Sequence, residues 1–334
     1  MKTNLIYILG MMCLSGTVSA QTTVNYTEFE QKVLDYSQTL KQSVSQRTAM
    51  QKAMKAAKTA FFPAVDATGS YQYRINKYDM DFGGMAVPME HDSYSAEVGV
   101  VQPIYAGGSI YHTYKASQIQ SQIADKSVDL TTDNLIYAAE ASYWGTAAQK
   151  EMYKTMCQYV EIISQLTKVL QDKYDDGYIS KTDLIQMQTR LKEAELQRSS
   201  SYQSYQIALQ NMNVLMGLEP DKEVGLVDSI FVELPLPAYV GADAALNVRP
   251  DYAISQLDVD YQKRQVKLAA AKYNPSLSIG FKETWGTQML NISGETMFNS
   301  NVYASVKLPL FHWGARFKST AAQKAILLGK QYAL

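Results

Sequence analysis

Few residues of the types that do covalent or metal chemistry are present, and none stands at a spacing that such chemistry uses. The 334-residue chain has three histidines and two cysteines. His91, His112 and His312 lie far apart and outside any recognisable motif. No HExxH, nucleophile elbow, Walker A loop or dinucleotide glycine fingerprint occurs. Asp175 and Asp176 adjoin at a turn, too few oxygen ligands for a calcium site. These residues predict no catalytic centre, no metal and no cofactor. Lysine plus arginine number 31 against 32 acids, a balance that argues against a nucleic acid partner.

The polar chemistry instead belongs to charged and tyrosine-rich segments that alternate with apolar residues. Tyrosine is unusually frequent, at 24 copies. Val65, Ala67, Gly69, Tyr71, Tyr73 and Ile75 share one parity, and Asp66, Thr68, Ser70, Gln72 and Arg74 the other. A return segment sets Tyr94, Ala96, Val98 and Val100 against Ser95, Glu97 and Gly99. A third sets Leu277, Ile279 and Phe281 against Ser278, Gly280 and Lys282. A fourth sets Val302, Ala304, Val306 and Leu308 against Tyr303, Ser305 and Lys307. A period of two predicts strands with one greasy and one wet face, as in a transmembrane β-barrel or a sheet packed on helices. Tyr71, Tyr73, Tyr94 and Trp285 suit interfacial girdles. Four strands cannot close a barrel, and open edges are not tolerated in hydrocarbon. If these strands cross a membrane, several chains must share one barrel.

The elements that position the strands come in two copies of one plan. Ala60-Phe61-Phe62-Pro63 corresponds to Lys272-Tyr273-Asn274-Pro275, each ending a helix-like segment and opening a strand. Gln102-Pro103-Ile104-Tyr105-Ala106-Gly107-Gly108 corresponds to Leu308-Pro309-Leu310-Phe311-His312-Trp313-Gly314, so each of the four prolines is expected at a helix–strand junction. From Ser109 to about Lys173 there is no proline. The heptad seam Met156, Tyr159, Ile163, Leu166, Leu170 predicts the outgoing arm of an antiparallel coiled coil. Asp175-Asp176-Gly177 breaks it, and Ser180 caps the returning arm with Asp183 as a weaker capping-box partner. That arm carries Leu184, Met187, Leu191, Ala194, the polar positions Arg198 and Ser201, then Tyr205, Ala208, Met212 and Leu215 before Gly217. Its tip, 173–183, protrudes from the strands and suits docking. Residues 218–240 read as an irregular connector with a strand over Ser229–Leu234, and a further helix is expected from about Ala242 to Tyr273.

Lys2, the apolar run Leu5–Val18 and Val18-Ser19-Ala20 read as an export signal over residues 1–20. Cys157 is then the only cysteine, so no intrachain disulfide forms. No later apolar run is long enough for an α-helical membrane span.

With these residues in place, the pattern resembles the TolC family of outer-membrane efflux ducts. The resemblance rests on the proline junctions, the paired strand exits, Lys173-Tyr174-x-x-Gly177-x-x-Ser180-x-x-Asp183, Leu215-Met216-Gly217 and Arg249-Pro250-Asp251. It implies an α+β, mainly α fold with long antiparallel coiled-coil helices and an internal repeat. Four strands per chain would join a trimeric twelve-strand barrel in the outer membrane, with the helices extending into the periplasm. The expected organisation is a signal at 1–20, a first repeat at 21–217, an equatorial connector at 218–240 and a second repeat at 241–334. The barrel strands are expected at about 64–76, 93–102, 276–285 and 301–309. The resemblance also implies a homotrimer in outer-membrane lipid, partnered by a periplasmic adaptor and an inner-membrane pump, that passively conducts drugs or polypeptides and is not an enzyme. Lys173, Tyr174, Gly177, Ser180 and Asp183 would meet the adaptor. Asp66, Gln72, Arg74, Glu97, Lys282 and Lys307 would face the lumen.

The second copy stops at Leu334, 25 residues after Pro309. The repeat length therefore predicts a C-terminally truncated chain lacking roughly 100 residues, the second helical hairpin among them. The rival readings are a soluble periplasmic or surface coiled-coil structural protein or adhesin, and an exported hydrolase for which no catalytic candidate is in view.

Overall fold

The computed structural model describes residues 22–76, 79–88, 90–231, 239, 241–287 and 295–334. The expected export signal, 1–20, lies outside the described residues. In chain order the elements are β1 (Thr22–Val24), α1 (Tyr26–Tyr36), α2 (Gln38–Thr59), β2 (Ala64–Tyr73), β3 (Asp79–Phe82), β4 (Met85–Pro88), β5 (Asp92–Ala106), α3 (Ser109–Asp175), α4 (Lys181–Leu215), β6 (Val224–Leu226), α5 (Ala242–Val248), α6 (Pro250–Ala271), β7 (Ser276–Thr287), β8 (Thr296–Lys307) and α7 (Ala315–Tyr332). Contacts divide the chain into two units, one of Met1–Gln38 with Asp133–Pro237, the other of Thr39–Thr132 with Ala238–Leu334. Helix, proline, strand, loop, strand, helix occurs twice, as α2-β2-β5-α3 and α6-β7-β8-α7.

The first unit is held by a small dense core. Val24, Phe29, Val33, Ala139, Tyr143, Ala147, Leu209, Met212, Met216, Val224 and Leu226 pack together, with Phe29, Tyr143 and Met212 fully buried. Burial of each large side chain contributes about 1.5–3 kcal/mol. Strands β1 and β6 pair in parallel through Thr22–Val224, Thr23–Gly225 and Val24–Leu226. Buried Tyr143 ties this ribbon to the helices, donating its hydroxyl to the Val24 carbonyl (3.1 Å) and the Asp228 carboxylate (2.8 Å). The same carboxylate oxygen accepts from the Tyr26 amide at 2.7 Å. Burial, and then the hydrogen bond to Asp228, push the phenol pKa well above its usual value, so the hydroxyl remains a donor at any biological pH. Asn213, also fully buried, donates to the Pro220 and Lys222 carbonyls and fixes the chain leaving α4.

From this core α3 and α4 run out as an antiparallel pair. Tyr153 meets Tyr202 with ring centroids 5.1 Å apart, and Thr146 donates to the Ala208 carbonyl at 3.2 Å. On α4 the inward stripe follows expectation, with Leu184 and Ala194 buried and Arg198 exposed. On α3 the seam is displaced. Val160 is buried, Met156, Ile163, Thr167 and Leu170 are half-buried, and Tyr159 and Leu166 face outward. Tyr159 and Leu166 instead join Met152, Ile162 and Val169 in a second stripe at heptad-like spacing, exposed along the helix. The expected seam thus keeps Met156, Ile163 and Leu170, and errs at Tyr159 and Leu166, where two adjacent stripes offer alternative positions.

In the second unit a four-stranded antiparallel sheet has the order β2-β5-β7-β8. Pro63 and Pro275 stand immediately before β2 and β7, and Pro309 lies two residues after β8. Pro103 departs from the junction rule. It lies inside β5, which continues to Ala106, and the register against β7 shifts between Pro103 and Tyr105. A proline cannot donate to the ladder, and the irregularity absorbs that missing bond. The Asn274 side-chain amide donates to the Gly107 carbonyl at 2.9 Å, tying the two copies' junctions together. Among the helices of this unit, Gln262 donates to the Gln323 carbonyl and side-chain oxygen at 3.1 and 2.8 Å, and Lys330 meets Asp258 at 2.7 Å.

Three further expectations are corrected. The connector strand is Val224–Leu226, because pairing with β1 selects residues that alternate inward. Ser229–Phe231 are coil and turn, and residues 232–234 lie outside the described residues. The helix expected at 242–273 is broken at Arg249, whose guanidinium grips Asp251 through Nε (3.0 Å) and Nη2 (2.5 Å) while Pro250 starts α6. This pairing holds the Asp251 carboxyl below its usual range. A short hairpin, β3–β4, lies between β2 and β5 where only a loop was expected.

Replacing Tyr143 by Phe removes the shared donor of Val24 and Asp228. It should cost about 1–3 kcal/mol in urea unfolding, whereas Tyr137→Phe at a 74% exposed position should be neutral.

Candidate functional site

The sheet keeps two unlike faces across all four strands. Cross-strand pairs align Val65 with Val100, Val100 with Phe281, and Phe281 with Val302 in one row. Parallel rows on the same face join Gly69, Ala96, Trp285 and Phe298, and join Ile279 to Ala304 and Leu277 to Val306. No described helix covers this face. Val65 is 68% exposed, Val302 79% and Val306 71%. The opposite face joins Asp66, Gly99, Lys282 and Asn301, and joins Thr68, Glu97, Thr284 and Asn299. There Glu97 meets Lys282 at 3.3 Å and accepts from Thr284 at 3.2 Å, and Ser70 bonds Ser95 at 2.8 Å. Partly solvated pairs of this kind add little stability but hold the polar side chains in rows.

Of the residues expected on the wet face, Asp66, Gln72, Glu97, Lys282 and Lys307 share it by register. Arg74 does not. It lies one residue past β2, where its guanidinium donates to the Glu90 carbonyl at 3.3 Å and its amide to the His91 carbonyl at 2.6 Å. One residue keeps the face its parity assigned and one escaped the sequence reading. Tyr303 stands on the polar face opposite Gly280, whose missing side chain makes room for the ring. Glu283 stands on the apolar face beside Val98, and Ser300 of the next strand donates to its carboxylate. Extending the alternation two residues beyond Phe281 would have revealed Glu283.

Aromatic side chains bracket the apolar face. At the loop end are Tyr71, Tyr73, Tyr94, Trp285 and Phe298, with Tyr94 and Trp285 rings 5.7 Å apart. At the helix end are exposed Phe61, Phe62, Tyr105, Phe311, Trp313 and Phe317. Six residues of strand separate Val65 from Tyr71, a span of about 20 Å along the strand. Two of the histidines pack on aromatic rings. His91 stacks on Tyr73 at 5.4 Å and His312 packs edge-on against Tyr273 at 5.5 Å. Among the described residues no three His, Cys, Asp or Glu cluster as metal ligands.

The outgoing and returning helices meet in a tip built by backbone geometry. Gly177 has φ +79°, a left-handed conformation costly for other residues. Its amide donates to Tyr174 O (3.0 Å), and the Tyr178 amide reaches back to Lys173 O (2.9 Å), the two bonds of a Schellman motif. Ser180 then caps α4. Its hydroxyl accepts from the Asp183 amide at 3.3 Å while Asp183 accepts from the Ser180 amide at 3.2 Å, so the weaker box expected from an aspartate forms completely. Thus Gly177, Ser180 and Asp183 shape the turn, whereas Lys173 and the neglected Tyr178, 79% exposed, present free side-chain surface. The tip stands about 50 Å along α3 from Tyr143.

Comparison with known proteins fits this geometry. The family model described as outer membrane efflux protein matches residues 30–218. No curated protein matches the chain in sequence. Among solved structures, CusC, whose crystal structures concern folding and transmembrane channel formation, superposes with TM-score 0.77 at 12% identity, over 93% of this chain and 72% of that one. The Campylobacter jejuni CmeC outer membrane channel gives TM-score 0.76 at 16% identity, over 92% and 66%. The Vibrio cholerae outer membrane protein VceC gives 0.73 at 14%, over 92% and 74%. The chain therefore spans roughly two thirds to three quarters of the length of these structures, and at such identities the likeness concerns the fold.

Asp183→Ala should open the first turn of α4 by about 1 kcal/mol. Amide hydrogen exchange at residues 181–185 should rise about fivefold, with no change around Met212.

Proposed function

Because the chain belongs to the outer membrane efflux protein family, we propose that it is the subunit of an outer-membrane duct that conducts drugs or polypeptides passively to the exterior. The observation that carries this reading is the open four-stranded sheet, bare and apolar on one face, polar on the other, with β2 and β8 unpaired at its edges among the described residues. In hydrocarbon every backbone donor and acceptor must be satisfied, so β2 and β8 require partners from other copies of the chain. Three copies supply twelve strands, enough to leave a water-filled interior that four cannot enclose. Asp66, Gln72, Glu97, Lys282 and Lys307 then line the wet wall and bias which ions and solutes pass.

In this reading the first 20 residues are the export signal and 21–217 and 241–334 are the two repeats, joined by the 218–240 connector. The exposed apolar stripe of α3, from Met152 to Val169, meets a neighbouring helix in the trimer. The tip docks a periplasmic adaptor that couples the duct to an inner-membrane pump, with Lys173, Tyr174 and Tyr178 making contact on a turn shaped by Gly177, Ser180 and Asp183. Energy comes from the pump, and the duct itself catalyses no reaction.

The protein should sediment with outer membranes, need detergent for extraction and crosslink as a trimer. Recovery as a soluble periplasmic monomer would contradict the proposal and favour the adhesin-like rival. Val302→Arg, on the lipid-facing side, should cost about 2–4 kcal/mol of barrel stability, measured by denaturant unfolding in lipid vesicles, whereas Asn301→Arg on the adjacent wet position should be tolerated.

A further inference from the structure

Four cationic side chains converge on one groove in the unit that contains the sheet. A cavity of about 540 Å³ lies between α3, α6 and α7, with Lys115, Lys263, Arg264 and Lys267 on its wall. The one acid there, Asp260, is already engaged by Lys263 at 2.8 Å. Lys115 donates to the neutral Gln118 at 3.0 Å. Among the described residues no carboxylate stands within ion-pair distance of Lys115, Arg264 or Lys267. Lys126, Lys192, Lys282 and Lys330, by contrast, each meet a carboxylate, on Asp129, Glu195, Glu97 and Asp258. In a chain with 31 basic and 32 acidic residues, four cations beside a single acid leave this pocket strongly positive.

The neighbouring His112 reports the same field. Burial first, and then the charges of Lys267 and Arg264, hold its pKa below the ordinary value. Its Nδ1 is buried with no hydrogen-bond partner among the described residues. Like charges gathered on a concave surface raise the local concentration of counter-anions. Arg264 offers a planar fork that matches phosphate oxygens, and the lysines offer mobile point charges around it.

The groove also has a definite place along the helices. Lys115 lies six residues into α3, which follows β5 directly, a helical distance of about 9 Å. Lys267 lies four residues before the end of α6, which leads into β7. The cations therefore sit within a few turns of the strands, on the side where the exposed aromatics Phe311, Trp313 and Phe317 gather.

We propose that Lys115, Lys263, Arg264 and Lys267 form a binding site for a phosphate-bearing anion. The anion site stands on the groove alone; that a lipid headgroup supplies the phosphate rests on the membrane reading above. The site is tested on the purified chain in neutral detergent by thermophoresis with two probes, short-chain phosphatidylglycerol and inorganic pyrophosphate. Binding that weakens with added KCl, and at least tenfold in Arg264→Gln/Lys267→Gln, is the expected result, with Lys168→Gln/Lys192→Gln unchanged. Preference for phosphatidylglycerol identifies a lipid site, and preference for pyrophosphate a site for free phosphates. If the glutamine variant fails to fold, the charge-preserving Arg264→Lys/Lys267→Arg should bind within threefold of the unaltered chain, and salt must still weaken that binding. Absence of binding by both probes, binding indifferent to salt, or binding equal in the glutamine variant would overturn the site even if the protein fractionates with outer membranes.

Discussion

A sheet with one uncovered apolar face and two unpaired edges is unstable in either solvent alone. In water, the row from Val65 to Val302 would remain hydrated, at about 25 cal/mol for each Å² of apolar surface. In hydrocarbon, the open backbone of β2 and β8 would cost several kcal/mol per unmet group. Only lipid on the apolar face, water on the polar face and further strands at both edges satisfy all the groups together. The aromatic bands at both ends of the face and the chain's even charge balance fit that arrangement.

The other unit meets the opposite requirement. It packs Phe29, Tyr143 and Met212 into one core and solves its polar problems locally, with Tyr143 donating to Asp228 and Val24, and Asn213 to Pro220 and Lys222. Its core is small for the length of helix it anchors. Most of the hairpin beyond that core is therefore stabilised by its own inner stripe and by the caps at the tip, and the apolar stripe from Met152 to Val169 remains available to another helix.

Local chemistry made much of this legible. Prolines at 63 and 275 marked strand starts because they can neither continue a helix nor enter a ladder freely. Period-two patterning named the two faces because cross-strand register preserves parity, and Gly177 with Ser180 marked the tip. What escaped depended on partners that a sequence does not display. The seam of α3 was misplaced at Tyr159 and Leu166, where the structure uses Val160 and Thr167, because large side chains line both stripes. The short strand Val224–Leu226 was missed because its identity comes from pairing with Thr22–Val24. Pro103 misled because an irregular register lets β5 run past it. At the tip, Gly177, Ser180 and Asp183 were legible because they shape the turn, while the exposed Tyr178 had no motif to announce it.

The most direct measurement is site-directed spin labelling at single positions along β5 and β8 in lipid vesicles, scored for collision with oxygen and with a polar nickel chelate. The account expects Val98, Val100, Val302 and Val306 to be open to oxygen, Glu97, Asn301 and Ser305 to the chelate, alternating residue by residue. Chelate access at all seven positions, or protection of all seven from both reagents, would contradict it.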